Sequence, residues 1–287
     1  MKRRELLAAL GAAGLAWPLG CWIRAAEKQP GRRVLFFSRS VLFEHPVVHR
    51  NGEELSFAET QFVELARRAG LEADCTKDGS VFDGGLDGYA AIVSYSCGTM
   101  DDMLKPESKD HSAPISERGR QRLVDAVGAG KPLVAIHPGF LILPEVVGTG
   151  YVGHGQQQAG TMRIVSPKFP GTAGLGDSFS MTEEWFSLVD FAKDLHVVLV
   201  QETAGMQKEQ PGDQKCYNRP PYPATWARLH GKTCVFYTSM GHREDVWAHS
   251  IFQQILLGGL LWALGEVEAD VTPNIATVAP QANQRAR

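Results

Sequence analysis

Apolar runs and their spacing divide residues 33–264 into alternating strands and helices. Residues 33–38, Arg-Val-Leu-Phe-Phe-Ser, carry almost no polar interruption, which predicts a strand buried on both faces. In 57–69, Phe57, Phe62, Leu65 and Ala69 recur at helical spacing and Gly70 follows, predicting an amphipathic helix with its stop. Residues 71–75 and 89–95 read as further strands. Ser116 caps a helix over 117–129 that ends at Gly130. Residues 132–136 form a fourth apolar strand, stopped by His137 and turned by Pro138-Gly139. This order, strand-helix-strand-loop-strand-helix-strand, predicts an α/β fold: a doubly wound, mostly parallel sheet flanked by helices.

The second half is less regular. Residues 161–166 alternate like a strand and 196–200 read as another. Residues 224–228 and 233–237 form a hairpin around His230-Gly231-Lys232, an antiparallel extension of the sheet. Residues 151–155 and 177–185 read as loops, the first glycine-rich around His154, the second leading into Glu183-Glu184-Trp185-Phe186. Residues 99–114 and 204–222 are polar insertions, and insertions of such length are commonly functional or mobile. Residues 246–264 predict one long apolar helix. His249, Gln253 and Gln254 mark it as a core helix rather than a membrane span. Residues 267–287 read as a strap and a disordered polar tail.

Composition changes this picture little. The chain of 287 residues is 44% hydrophobic and 21% charged, ordinary values for a globular protein, and 27–266 suits one α/β domain. A net charge of −3 with no basic patch argues against nucleic acid as a partner. The first 26 residues change it more. Arg3-Arg4 precede Leu6-Leu7 and an apolar stretch over 8–19, a pattern resembling a twin-arginine export signal, with cleavage near Ala25-Ala26. The expected address is the periplasm or cell envelope. Leu19-Gly20-Cys21 also resembles an imperfect lipoprotein box, which would make Cys21 a lipid anchor. The remaining cysteines show no CxxC spacing, so neither a cysteine zinc site nor a redox pair is indicated, and an exported chain could hold one or two disulfides.

The candidate chemistry lies just after strands. His45, Cys97, His137 and His242 each follow one, and in a doubly wound sheet such positions share one crevice. Glu183 and Glu184 would complete an acid/base set or a metal site beside histidines. The candidate catalytic residues are His137, Glu184, His242 and His45, with Glu183, His154, Trp226 and Tyr237 as candidate substrate contacts. His45, His137 and His242 are candidate ligands for zinc or another divalent metal. Each has a plainer alternative: a strand-end histidine bonded to backbone, a surface Glu-Glu pair, a core tryptophan. Cys97 has no evident base near it in sequence and reads as a buried thiol.

Phe43-Glu44-His45, Ala135-Ile136-His137-Pro138-Gly139, Glu183-Glu184-Trp185-Phe186, Pro223-Ala224-Thr225-Trp226 and the run from Gly231 to His242 occur in an order that resembles the trehalose-utilisation ThuA-like family. The resemblance covers about 33–265 and implies the class I glutamine amidotransferase-like fold. Amidotransferases of that fold carry a catalytic cysteine on a Gly-x-Cys-x-Gly elbow. The corresponding position here is His137, so thioester chemistry on glutamine has no nucleophile. The family implies a role in disaccharide catabolism beside enzymes that make 3-keto sugars. The reading that follows is an exported enzyme acting on a disaccharide or 3-keto-glycoside, as lyase, hydrolase or isomerase. His137 or Glu184 would be its base, with His45 and His242 polarising the carbonyl directly or through a metal. Rival readings are a non-catalytic sugar-binding or partner protein and a metal-dependent amide or ester hydrolase. A small sugar is the expected partner, and a homo-oligomer is compatible with the sequence.

Overall fold

The computed structural model describes residues 32–207 and 216–285. The export signal, its Arg3-Arg4 pair and Cys21 lie outside the described residues, as does the middle of the 204–222 insertion.

The elements, in chain order, begin with β1 (Arg32–Phe37), α1 (Phe57–Arg68), β2 (Leu71–Thr76), β3 (Tyr89–Ser94), α2 (Met100–Met103), α3 (Glu117–Gly128), β4 (Leu133–Ile136) and α4 (Pro144–Val147). There follow β5 (Gly150–His154), β6 (Gln158–Ile164), β7 (Ser178–Glu183), β8 (Phe186–Val189), β9 (Leu195–Glu202), β10 (Tyr222–His230), β11 (Thr233–Thr238), α5 (Glu244–Ala248), α6 (Ser250–Ala263) and α7 (Ile275–Val278). Nine strands make one sheet in the order β2-β1-β3-β4-β11-β10-β9-β6-β7, while β5 and β8 pair apart from it. The first five are parallel to one another, and from β11 outward every pairing is antiparallel. The order of the parallel half is that of flavodoxin-like sheets, whose ligands sit beyond the carboxyl ends of the strands.

The central strands read as unbroken apolar runs because both of their faces are covered. Successive side chains of a strand point to opposite faces. Val34 and Phe36 of β1 therefore join Val134 and Ile136 of β4 in the core beneath α1 and α6, while Leu35, Phe37, Leu133 and Ala135 pack into the opposite core beneath α3. The helices start where the polar caps predict. Ser56 and Glu59 form a reciprocal capping box at α1, and the Ser116 hydroxyl accepts from the Gly119 amide at α3.

Five expectations from the sequence are corrected. Residues 99–114 are not a bare loop. Thr99 caps α2, and the buried Arg39 guanidinium donates to the carbonyls of Met103, Lys105 and Ser112, sewing the insertion to the end of β1. The glycine-rich stretch around His154 is β5, and 177–185 is mostly β7, whose exposed and buried residues alternate as an edge strand requires. The long C-terminal helix is two. His249 is extended, and its ring accepts from the Ile251 amide as the cap of α6. The expected C-terminal strap continues through 285, where the sequence predicts a disordered tail. Asn274 bonds both backbone groups of Val197, Asn283 does the same for Phe191, and Arg219 donates to the Ala282 carbonyl.

Candidate functional site

The site is built at the carboxyl ends of β1, β4 and β11. At the end of β4 the chain turns sharply, placing His137 in the left-handed region at φ 50°, an uncommon conformation for a residue with a side chain. The turn can be this tight because Gly139 follows. A Cβ there would lie 1.9 Å from the Ser94 carbonyl oxygen. This is the elbow that the resemblance places at this position, with an imidazole where a thiol would stand.

His137 is wholly buried. Its Nδ1 lies 2.8 Å from the Ser239 carbonyl, which can only accept, so Nδ1 carries the proton and Nε2 presents a lone pair to the site. The ring stacks on Phe186 with centroids 4.1 Å apart. His242, in the turn after β11, brings Nδ1 to 3.4 Å from that Nε2 and to 3.2 Å from Glu184 Oε2. The same carboxylate oxygen is 3.5 Å from His137 Nε2. His45, in the loop after β1, packs edge-on against both histidines, with ring centroids 4.9 and 5.1 Å away. Ligand-capable atoms of His45, His137, His242 and Glu184 all fall within 4.8 Å of one another.

Their titration follows from this crowding. Burial, then the neighbouring His137 and His242, holds His45 well below the ordinary histidine value. Burial lowers His137 too, opposed by Glu184. Burial alone would raise Glu184, but hydrogen bonds to His137 and His242 outweigh it and hold the carboxyl well below the usual carboxylate range.

Glu184 reaches the site because Glu183 anchors the turn it belongs to. The Glu183 carboxylate is fully buried and accepts from the amides of Gly241 and His242 at 2.8 and 3.1 Å, and from that of Glu184 at 2.8 Å. Burial pushes its pKa up to about 7 against those donors. It ties β7 to the turn that carries His242 and has no access to a ligand, so its reading as a substrate contact is corrected.

A cavity of about 270 Å³ opens above the cluster, lined by His45, His154 and Glu184 with apolar walls that include Phe43, Tyr151 and Phe186. Of the expected substrate contacts, only His154 lines it. Its Nδ1 lies 2.9 Å from the Gly155 carbonyl and 3.3 Å from Glu184 Oε1. Trp226 is buried with its indole N–H on the Val147 carbonyl, a core residue. Tyr237 is also buried; its hydroxyl donates to the His137 carbonyl and supports the elbow from beneath. Burial likewise keeps His137 off the cavity wall, which removes it as a base in contact with substrate. Cys97 does line the cavity, but burial pushes its thiol up to about 11, so it is not a ready nucleophile.

Sequence reasoning passed over Tyr151, whose exposed ring beside Val152 was a signal, and Gln157, which carried none. The Gln157 amide nitrogen lies 3.0 Å from His242 Nε2, and its oxygen accepts from Arg243 at 2.6 Å.

A flavodoxin-like parallel half and an elbow at the end of β4 give this α/β protein the class I glutamine amidotransferase-like fold, with a histidine-carboxylate cluster above the elbow. The family model for ThuA, described as trehalose utilisation, matches residues 33–263, and the chain belongs to that family. It thereby falls among proteins of carbohydrate metabolism. Similar solved structures include a ThuA-like protein from Bacteroides uniformis (TM-score 0.62, 19% identity, covering 86% of this chain and 95% of that one). Another is a ThuA-like protein from Parabacteroides merdae (TM-score 0.56, 16% identity, 84% and 94%). A third is a Salmonella typhimurium protein described as cytoplasmic (TM-score 0.53, 16% identity, 80% and 98%). At such identities these show the fold alone. No curated protein matches the chain. No helix among the described residues is long and apolar enough to cross a membrane.

Proposed function

We propose that this chain is an exported enzyme of carbohydrate catabolism that eliminates the leaving group from a 3-keto-glycoside. The observation that carries this reading is the cavity itself: His154, Glu184 and His45 converge in a pocket whose walls include the aromatic rings of Phe43, Tyr151 and Phe186. Aromatic faces suit the apolar face of a sugar ring. The volume lies just below the ~300–1,000 Å³ typical of ligand pockets, room for one ring rather than two.

A keto group at C3 acidifies the C2–H bond. A base takes that proton, its electron pair becomes the C1=C2 double bond, the C1–O bond breaks, and the departing oxygen is protonated as a free sugar. His154 is the base in this scheme. Its Nδ1 proton is given to the Gly155 carbonyl and Glu184, which leaves Nε2 as the acceptor. His45 lies where it can polarise the carbonyl as negative charge builds on that oxygen. Export rests on the Arg3-Arg4 signal read from the sequence.

Proton NMR of the mature protein with trehalose, other disaccharides and their 3-keto derivatives tests the reading. Loss of keto-glycoside resonances with release of free sugar is expected, and His154→Ala should slow it at least ~100-fold. Saturable binding of the same sugars without turnover would overturn the catalytic reading.

A further inference from the structure

We infer that His45, His137, His242 and Glu184 form a binding site for one divalent transition-metal ion such as zinc. The argument starts from a triangle. His137 Nε2, His242 Nδ1 and Glu184 Oε2 are separated by 3.2, 3.4 and 3.5 Å. Ligands at ~2.0–2.1 Å from a tetrahedral zinc ion stand about 3.3 Å from one another. The three edges therefore match a tetrahedral face without rearrangement. The fourth corner falls to His45, whose ligand atom lies within 4.8 Å of the others and has to draw in.

Counting protons leads to the same place. The His137 Nδ1 proton is given to Ser239, so its Nε2 has only a lone pair to offer. Glu184 Oε2 accepts. Gln157, with its oxygen turned to Arg243, points its NH2 group at His242 Nε2 and leaves the His242 proton on Nδ1. A single proton is thus shared toward two acceptors, and buried Nδ1 of His45 has no partner at all. Convergent acceptors with one proton among them are a cation site, and an imidazole-rich set with one carboxylate selects a transition metal over magnesium or calcium.

The surrounding shell is also the one that metal ligands use. The Ser239 carbonyl fixes the ring of His137, and His154 holds the second oxygen of Glu184 at 3.3 Å. When the ion binds, the His242 proton moves from Nδ1 to Nε2 and the ring stays neutral. The Gln157 amide then turns so that its oxygen accepts that proton. Arg243 releases Gln157 and keeps its two contacts to Asp245.

The inference stands apart from the sugar reading, because its test contains no sugar. The mature protein is stripped with a chelator and titrated with Zn²⁺, Co²⁺ or Mg²⁺ alone, following heat and, for Co²⁺, visible absorption. The expected result is one equivalent bound, with the intense visible bands of four-coordinate cobalt. Affinity should fall about 100-fold or more in Glu184→Gln and in His45→Ala. Far-UV circular dichroism confirms that each variant is folded, and His45→Ala breaks no hydrogen bond at Nδ1. Absence of saturable binding by folded wild-type protein overturns the inference. So does stoichiometric binding whose affinity is unchanged in both variants, or a preference for Mg²⁺ over Zn²⁺.

Discussion

Two adjacent carboxylates at the end of β7 sit in opposite settings. Glu183 is enclosed among backbone amides, whereas Glu184 faces the cavity and the histidines. Glu183→Gln sets an NH2 group against at least one of those amides. Leaving a buried donor unpaired costs about 1–3 kcal/mol, so the urea midpoint should fall accordingly. Glu184→Gln should leave that midpoint near the wild-type value while abolishing turnover, and equal losses of stability would refute the division of labour. On the cavity wall, Phe43 is about half exposed, its ring edge-on to that of His45. Phe43→Ala is expected to raise KM for a sugar substrate while leaving kcat and the thermal midpoint unchanged. The histidines were legible because each follows a strand, and His137 directly ends an apolar run. Glu183, Trp226 and Tyr237 belong to the same stretches, but which way a side chain faces at a strand end depends on partners distant in sequence. Gln157 acquires its role only through Arg243 and His242, across some 85 positions of chain.

Among the elements, α1 is anchored by a buried ion pair. Glu59 accepts from the Ser56 amide and, at 2.8 Å through each oxygen, from the Arg50 guanidinium. Burial would raise its pKa, yet those bonds outweigh burial and leave it lowered. A depressed folded value means stability that is fully present above the unfolded carboxyl pKa and is lost as pH falls through the folded one. Glu59→Gln should therefore cost about 1.5–3 kcal/mol at pH 7 and flatten the acid limb of a stability-against-pH curve. A mutant curve parallel to wild type would contradict this. The elbow after β4 is equally sensitive: Gly139→Ala pushes a methyl into the Ser94 carbonyl and should prevent folding or sharply lower the thermal midpoint. The parallel strands could be read from sequence because burial on both faces makes them apolar throughout. β7 alternates Ser178-Phe179-Ser180-Met181-Thr182-Glu183, a period of two that its serines disguise as loop. β5 is hidden by glycines at both ends of a four-residue span. The break between α5 and α6 was hidden too, since His249 interrupts nothing in the apolar pattern and acts through its ring as a cap.

At the scale of the whole molecule, the sheet holds two regimes: a parallel half that carries the histidines, and an antiparallel half that carries the carboxylate. The C-terminal strap ties down the second regime through Asn274, Asn283 and Arg219. Removing residues beyond 265 leaves the backbone groups of Val197 and Phe191 unpaired. The truncated protein should exchange amide hydrogens faster in β9 than in β1 or β4, and uniform protection would count against this. The division has a further consequence at the site. β7 is an edge strand that, among the described residues, pairs only with β6, while β4 and β11 lie inside the sheet. Outer strands open before inner ones. Partial unfolding therefore withdraws the negative arm of the cluster while the imidazoles keep their places. Such an intermediate would be a pocket of neutral imidazoles, one ligand and one negative charge poorer, and its charge would have changed before its shape did.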